Sequence, residues 1–362
     1  MTTVSLRQLN RWTLHRQMLL ERVELDAVTA IDRLAGMQAQ YSPSPYIGLW
    51  SRLRQFRREE LESALMADQV LKATLMRGTL HVVSARQFDQ YRVVSRNQNH
   101  IYTQTVKVLR ERGTDVDAIR TAVLAAVRES PRTRADIEEL VRPLVSADLP
   151  DYAGWSTVAL SGDLMHSPGD AAYGYFGGGR YRLAPPVTCD VDDAFREVAA
   201  SYFAAFGPAT RADLAQWSGQ SVGAFMAALG SLPLVTVKCE DGRALLDLAD
   251  APKSDWDGPA PVRFLSKWDN LLLAYDRRER VLPEPFRKII IRKNGDMLPT
   301  FLVDGLVAGT WTAPARGRAV LTLEPLRPLA SDERAEVAHE AERLLSWLRP
   351  DTDRRTIHWP GV

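Results

Sequence analysis

Cysteine and paired histidine are nearly absent from this chain of 362 residues. Its two cysteines, Cys189 and Cys239, lie far apart, and its six histidines form no HxH or HxxxH pair. This pattern excludes a disulfide scaffold and the usual zinc motifs. No apolar run is long enough for a membrane span, and the first residues lack the features of a secretory signal. We therefore expect a protein of the reducing cytoplasm without a structural metal.

Lysine is also scarce, since only seven of the 46 basic residues are lysines and the rest are arginines. A GC-rich genome is a sufficient explanation for this excess. Arginine also binds phosphate in a bidentate manner and stacks on bases, so the composition is compatible with DNA binding. The net charge of +1 argues neither for nor against a nucleic-acid partner.

An internal repeat is the first positive signal. Pro131-Arg-Thr-Arg-Ala-Asp-Ile137 recurs as Pro208-Ala-Thr-Arg-Ala-Asp-Leu214. In both copies a threonine stands three residues before an aspartate, ahead of an apolar helical stretch. A threonine N-cap with an acidic residue in the first turn favours a helix start.

The surroundings of both copies predict the same order of elements: a helix, the capped helix, a further helix and a two-stranded hairpin. The helices flanking and following the repeats are predicted near residues 117–128, 134–145, 154–165, 191–205 and 222–229. The Asp-Gly pair at 241–242 favours a hairpin after the second copy. This order is that of a winged helix-turn-helix, and we predict one such unit at 116–190 and another at 191–255.

The N-terminal residues 1–115 predict a third, degenerate unit. Its helices are expected near residues 5–12, 27–39 and 57–66. Two alternating runs, 71–77 and 79–83, form its wing, and a long helix follows from residue 85 to about 111.

The last part of the chain, 256–362, has a different pattern. Strands are predicted at 262–275, 288–292, 297–303, 306–312 and 319–323. Ser331-Asp-Glu caps a final amphipathic helix. The expected fold class is therefore α+β, with three tandem winged helix-turn-helix units, a C-terminal β-rich module and a closing helix.

The common catalytic signatures are missing: there is no phosphate loop, no G-x-S-x-G elbow and no carboxylate pair typical of a hydrolase. Gln38-Ala-Gln40 ends the helix predicted from residue 27 and precedes Tyr41-Ser-Pro-Ser-Pro45. Residues two apart point away from each other on a helix but share a side in an extended chain. Without further information, a glutamine pair at a helix end indicates a surface or capping role.

Four stretches resemble the AlkZ-type winged-helix DNA glycosylases. They are Leu34–Tyr46 with Leu49–Arg52, Leu75–His81, Asp269–Tyr275 with Arg280–Pro283, and Leu298–Gly305 with Gly309–Trp311. They follow the family's order over nearly the whole chain, which makes their combination more specific than any one of them. The resemblance implies three winged-helix units around a basic, concave DNA channel.

The resemblance also implies a reactive centre and a function. The family's motif is Gln, an apolar residue, then Gln or Asp, and it falls here on Gln38, Ala39 and Gln40. The Gln-ending form is similar to members that unhook interstrand crosslinks or remove bulky adducts of DNA-damaging natural products. The implied activity is hydrolysis of the N-glycosidic bond of purines alkylated at N7 or N3, in base excision repair or antibiotic self-resistance. The implied partner is double-stranded DNA in the nucleoid.

Two neutral amides suit this chemistry. Alkylation makes the base cationic and a good leaving group, and the sugar becomes oxocarbenium-like as the bond breaks. The enzyme must hold the nucleotide, place a water near C1′ and stabilise the developing charge, which preorganised dipoles can do. We expect Gln38 to position the water and Gln40 to stabilise the sugar, although the residues alone leave these roles interchangeable.

Two hairpins are candidates for DNA contact, because the family uses a β-hairpin in its DNA cleft. The turn at 293–296 is equally consistent with a structural role. The glycine-rich tip at 173–180 carries aromatic and arginine residues that suit stacking and phosphate contact. The first wing offers two more candidates, Arg77 and His81, whose alternative role is packing inside the protein. The DNA-contact candidates are Arg77, His81, Tyr173, Tyr175, Arg180, Arg182, Arg292 and Lys293.

Two rival functions stay open. A non-catalytic winged-helix regulator would bind duplex DNA, although such regulators usually carry one winged helix rather than three. A sequestration protein would bind a free genotoxin without cleaving DNA. No lysine or N-terminal amine is an evident Schiff-base nucleophile, so we expect a monofunctional glycosylase that leaves an abasic site. No metal or organic cofactor is implied, and we expect a monomer without membrane contact.

Overall fold

The structure is a computed structural model that describes residues 3–96, 100–146, 149, 152–168, 179–314 and 317–360. It mixes helices with three sheets, as the predicted α+β class requires. The N-terminal elements, in chain order, are β1 Thr3–Val4, α1 Leu6–Arg16, α2 Ala27–Arg33, β2 Met37–Gln38, α3 Ser44–Arg52, α4 Arg58–Met66, β3 Val70–Thr74, β4 Leu80–Ser84, α5 Ala85–Arg96 and α6 His100–Glu111.

The predicted helix 27–39 is wrong at its C-terminal end. Helix α2 ends at Arg33, because Ala35 and Gly36 both adopt left-handed backbone conformations, with φ of 56° and 77°. A side chain at Gly36 would place its Cβ 2.8 Å from Val83 Cγ1, so the close approach requires glycine. The chain then continues as strand β2.

The prolines that follow the motif do not prevent a new helix. Helix α3 starts at Ser44, directly after Pro43, and has Pro45 in its first turn. Proline is tolerated there because the first amides of a helix have no partner inside it. The long helix predicted from residue 85 to about 111 is described as α5 and α6, and residues 97–99 between them lie outside the described part of the chain.

The repeat region contains the predicted elements in the predicted order. They are α7 Val116–Glu129, α8 Arg134–Val141, α9 Ala153–Ala159, β5 Leu164–Ser167, β6 Arg180–Leu183, α10 Val191–Phe206, α11 Arg211–Ser218, α12 Met226–Ser231, β7 Leu234–Cys239 and β8 Ala244–Leu248. Thr133 and Thr210 cap α8 and α11, each in a reciprocal capping box with the aspartate three residues later. The predicted capped starts are confirmed.

The C-terminal elements are β9 Arg263–Leu265, α13 Asn270–Leu273, α14 Glu284–Ile290, β10 Thr300–Val303, β11 Leu306–Thr312, β12 Ala319–Pro325, α15 Ser331–Leu348 and β13 Arg355–His358. The strand predicted at 262–275 is wrong beyond Leu265, because the Asp269 side chain caps α13. The strand predicted at 288–292 is wrong because α14 occupies most of it. Strand β13, which was not predicted, pairs in parallel with β12.

One five-stranded sheet, in the order β2-β4-β3-β5-β6, organises the N-terminal half of the molecule. One face carries Met37, Val70 and Val82 and packs in the same core as α3, α4 and α15. The other face carries Ala73 and Met165 and packs in the same core as α5 and α10. The sheet therefore separates two apolar cores, and Gln38 lies in its edge strand.

Candidate active site

The Gln-Ala-Gln segment begins in strand β2 and leaves it, with Gln38 in the strand and Gln40 at a bend. Gln38 pairs with His81 of β4, and the Ala39 N–H donates to the Leu80 carbonyl at 2.7 Å. Neither glutamine is helical, so the geometric objection that a helical Gln38 and Gln40 would raise does not apply.

Both glutamine side chains have their carbonyl oxygens held by donors. Arg77 Nη2 donates to Gln38 Oε1 at 2.9 Å, and the Leu80 N–H donates to Gln40 Oε1 at 3.1 Å. Guanidinium and peptide N–H groups can only donate, so these partners fix which end of each amide is the oxygen. Gln38 is 5% exposed, whereas Gln40 is exposed. Gln40 is therefore the more accessible of the two.

Arg77 links the motif to the repeat region. It has a left-handed backbone, with φ of 56°, in the turn between β3 and β4, and its guanidinium also donates to the Trp217 carbonyl of α11. Gly219, the C-cap of α11, lies so close to Arg77 that a Cβ added to it would be 3.0 Å from the backbone nitrogen of Arg77. Burial and the nearby Arg278 lower the pKa of Arg77 to about 10, so it stays cationic at neutral pH.

His81 is a neutral neighbour of Gln38. It is 2% exposed, and its Nδ1 lies 2.9 Å from the Thr79 carbonyl, which can only accept. Burial, with Arg77 nearby, lowers the pKa of His81 to about 3. The imidazole is thus uncharged at neutral pH, with the proton on Nδ1, and can contribute shape and a hydrogen bond but no positive charge.

Lys72 is a buried cation that the sequence interpretation missed. Its Nζ donates to Ser42 Oγ at 3.2 Å, and the residue is 3% exposed. Burial lowers the pKa of Lys72 to about 8. Strand alternation places Lys72 on the face of Val82, opposite the face of His81 and Gln38. The sequence carries a signal for this burial, because the lysine lies inside the apolar strand sequence at 70–74.

A fully buried ion pair joins helix α3, which follows the Gln-Ala-Gln motif, to the start of α13. Arg52 binds Asp269 through two nitrogens at 2.7 and 2.9 Å, and both side chains are fully buried. Arg52 also donates to the carbonyls of Gln17 and Gly48. Asp269 is therefore a structural carboxylate that fixes the start of α13 against α3.

The predicted DNA-contact residues do not all lie together. The sheet register places Gln38, His81, Ala73, Met165 and Arg182 in one row that crosses five strands. Gln38 and Arg182 lie at its opposite ends, four strand spacings or roughly 19 Å apart.

The other arginine candidates are more peripheral. Arg182 forms an ion pair with Asp68, and Arg180 is exposed at the start of β6. Tyr173 and Tyr175 lie outside the described residues.

The turn at 293–296 is connected to the start of helix α3, which follows the motif. Ser44 Oγ donates to the Lys267 carbonyl at 2.7 Å, and Lys267 Nζ binds Asp296 at 2.7 Å. Arg292 and Lys293 are exposed beside this link. The connection joins these two cations to the motif through neighbouring loops.

Metal-binding and membrane-spanning features are both absent from the described residues. Within these parts of the chain, no group of three or more His, Cys, Asp or Glu side chains is arranged to hold a metal ion. No helix in the same parts has the length and apolarity that crossing a membrane requires.

Comparisons with known proteins give consistent results. A family model described as DNA glycosylase AlkZ-like matches residues 31–347. A Streptomyces sahachiroi protein named interstrand DNA cross-link repair glycosylase is 25% identical, over 85% of this chain and 87% of the relative. The solved structure of Streptomyces sahachiroi DNA glycosylase AlkZ has a TM-score of 0.77 and 21% identity, covering 99% of this chain and 100% of that chain. At that identity the structural match shows a shared fold.

Proposed function

Because the chain belongs to the AlkZ-like DNA glycosylase family, we propose that it is a monofunctional DNA glycosylase that hydrolyses the N-glycosidic bond of alkylated purines. The observation that carries this proposal is the non-helical Gln38-Ala39-Gln40 segment, whose two amides are oriented by Arg77 and Leu80. The name of the Streptomyces relative, an interstrand DNA cross-link repair glycosylase, supports crosslinked DNA as a substrate. The proposed substrates are bulky or crosslinked purines alkylated at N7 or N3. The biological setting is base excision repair or self-resistance to a DNA-alkylating natural product.

The charge on Arg77 distinguishes the two glutamines. A guanidinium 2.9 Å from Gln38 Oε1 disfavours a second cation at that oxygen, so Gln38 is the poorer partner for an oxocarbenium-like sugar. Gln40 Oε1 accepts from the neutral peptide N–H of Leu80, and Gln40 is more exposed. We therefore assign sugar stabilisation to Gln40 and water positioning to Gln38.

The reaction needs no carboxylate. The bond from C1′ to the purine nitrogen breaks, and its electron pair neutralises the cationic base. A water molecule then forms the new bond to C1′ and loses its proton to solvent. The amides contribute fixed dipoles beside the sugar, which lower the barrier without a change in their own protonation.

The domain organisation follows the same proposal: winged-helix units at 1–115, 116–190 and 191–255, a β-rich module at 256–362, and a concave DNA channel between the units. Three equivalent pairings support it, because in each unit a short segment between two helices pairs with the second strand of the wing. These pairings are Gln38 with His81, Arg132 with Tyr181, and Ala209 with Leu246. The motif thus occupies the same topological position as the two repeat copies.

The remaining assignments concern DNA. We propose that the chain binds double-stranded DNA as a monomer in the cytoplasm, with Arg77 and His81 beside the reactive nucleotide. Arg292 and Lys293 contact phosphates near the motif, and Arg180 and Arg182 contact DNA at the far end of the sheet. Tyr173 and Tyr175 are proposed to contact DNA as well.

A base-release assay on duplex DNA with N7-alkylguanine tests the function. The wild-type protein should generate alkali-labile abasic sites, and the Gln38→Ala/Gln40→Ala variant should bind the DNA but generate almost none. Gln104→Ala, at an exposed glutamine on α6, is the control and should retain full activity. Normal release by the double variant would disprove the site, and binding without release from any adduct would favour a regulator.

The monofunctional assignment has its own test. Borohydride added during the reaction traps any Schiff base between the protein and an abasic site. We expect no covalent complex with the wild-type protein, and a complex that disappears in Lys72→Met would instead identify Lys72 as a lyase nucleophile.

A further inference from the structure

Asn270 is a buried polar residue that the proposed chemistry does not use. It is the first residue of α13 and is 6% exposed. Its Nδ2 donates to the Leu34 carbonyl at 3.2 Å and to the Gly36 carbonyl, and its Oδ1 accepts from the Gln38 N–H at 3.4 Å. One side-chain amide thus binds three main-chain groups in the segment that leads into the motif.

These contacts lie on the open edge of the sheet. Strand β2 pairs with β4 on one side, and the order of the sheet leaves its other side without a neighbouring strand among the described residues. Because Ala39 N–H bonds to β4, strand alternation directs the Gln38 N–H and the Gly36 carbonyl away from β4. A primary amide offers one acceptor and donors in the arrangement of a peptide group, so Asn270 satisfies this edge as a further strand would.

The side chain of Asn270 is held in place by its own neighbours. The preceding residue, Asp269, accepts from the Leu271 N–H at 3.0 Å and binds Arg52 through both carboxylate oxygens. The start of α13 is therefore anchored to α3, which follows the motif in the chain. Asn270 is connected on one side to a rigid ion pair and on the other to the backbone of Gln38.

We propose that Asn270 is a positioning residue of the glycosylase reaction, which fixes the backbone of Gln38 so that the two glutamine amides face the sugar. This inference rests on the proposed function. The segment needs such a clamp because β2 has only two residues and follows two left-handed residues, Ala35 and Gly36. A misplacement of about 1 Å at a catalytic group can lower a rate by about 10²-fold.

The test compares Asn270→Ala with a matched variant at another buried asparagine. Asn10 is 3% exposed and its Nδ2 donates to the carbonyls of Arg280 and Gly305 at 2.7 and 2.8 Å, away from the motif. Asn270→Asp is the second variant: it keeps the size and the acceptor for Gln38 but loses both donors. Each protein is assayed at a temperature at which its melting curve shows that it is folded. If one of the two Asn270 variants does not fold, the other is enough for the test.

Two quantities are measured on wild type, the Asn270 variants and Asn10→Ala. The first is single-turnover base release from N7-alkylguanine duplex at saturating enzyme, with the Kd for the same DNA. We expect release to fall more than about tenfold in the Asn270 variants, with Kd within about threefold of wild type, and to change less than about threefold in Asn10→Ala. The second is hydrogen exchange in peptides covering residues 36–40, which should become faster only in the Asn270 variants.

The outcomes separate this inference from the proposed function. Equal loss of release in the Asn270 and Asn10 variants would show a general structural role and overturn the inference, as would unchanged release or unchanged exchange at 36–40. A wild-type protein that releases no base would overturn the proposed function. In that case exchange alone decides whether Asn270 holds Gln38.

Discussion

The guanidinium of Arg77 donates a hydrogen bond to the side-chain oxygen of Gln38 at 2.9 Å. It also binds the Trp217 carbonyl at the end of α11, so the contact joins the motif to a helix about 180 residues further along the chain. A cation of this kind both orients the glutamine and biases where positive charge can develop.

Replacing Arg77 with lysine should therefore lower base release. Lysine keeps the charge but cannot reach two acceptors in a fixed fork, so we expect a loss of about 10- to 100-fold in single-turnover rate. If Arg77 acts through Gln38, the Arg77→Lys/Gln38→Ala protein should be no slower than Gln38→Ala alone. Losses that multiply in the double variant would show that the two residues act independently.

The buried pair between Arg52 and Asp269 should dominate local stability. Asp269→Asn leaves a buried guanidinium without its counter-ion, and we expect the free energy of unfolding to fall by about 3–5 kcal/mol. Arg52→Met/Asp269→Leu removes both charges and should lower the free energy of unfolding by less. Urea unfolding measures this free energy for both variants.

The exposed pair between Arg54 and Glu24, at 3.7 Å, provides the control for this comparison. Glu24→Gln should change the free energy of unfolding by less than about 0.5 kcal/mol. A double variant at 52 and 269 that is less stable than Asp269→Asn would contradict the account.

Lys72 should make stability depend on pH. Burial lowers its pKa from 10.5 to about 8, so below pH 8 the folded protein carries a poorly solvated charge. Between pH 8 and about 10.5 the unfolded chain binds more protons than the folded protein, and this contribution to stability rises with pH. Lys72→Met should remove that rise and stabilise the protein at pH 7 by at most roughly 3 kcal/mol.

Urea unfolding of Lys72→Met at pH 7 and pH 10, relative to wild type, checks this prediction. Lys238→Met, at an exposed lysine of β7, is the control and should leave the pH dependence unchanged. If Lys72→Met changes the free energy of unfolding equally at both pH values, the charge of Lys72 is not responsible for the pH dependence of stability.

Arg292 and Lys293 should contribute to DNA affinity through charge. In Arg292→Ala/Lys293→Ala, binding should weaken equally for damaged and undamaged duplexes. The slope of log K against log salt should fall by about one for each phosphate that the variant no longer neutralises. Fluorescence anisotropy over a salt series measures this, with the exposed Arg354→Ala as control. An unchanged slope would exclude the turn from the DNA interface.

Much of the chain follows from local sequence rules. The capping boxes at Thr133 and Thr210, the hairpin at 234–248 and the helix over Ser331–Leu348 depend on residues that are neighbours in the chain, and the structure confirms them. The predicted cap of the last helix is wrong in detail, because its N-cap is Ala330, whose N–H donates to Glu333, and Ser331 is already helical. The family model confirms the resemblance carried by motifs spread from residue 34 to residue 311. The strand predicted at 262–275 failed beyond Leu265 because Asp269 caps a helix over Asn270–Leu273. The strand predicted at 288–292 failed because a helix with a first-turn proline extends into its isoleucines despite their β-branched side chains.

The sequence alone determined the motif, the repeat and the family, because these depend on residue identity and short spacing. Tertiary structure decided that Gln38 is extended rather than helical, since its pairing with β4 and its contact with Asn270 join segments up to 232 residues apart. It also decided that Arg77 lies against Gln38, that His81 is neutral and that Lys72 is buried. Such contacts, and the desolvation that shifts a pKa, arise only when distant parts of the chain pack together.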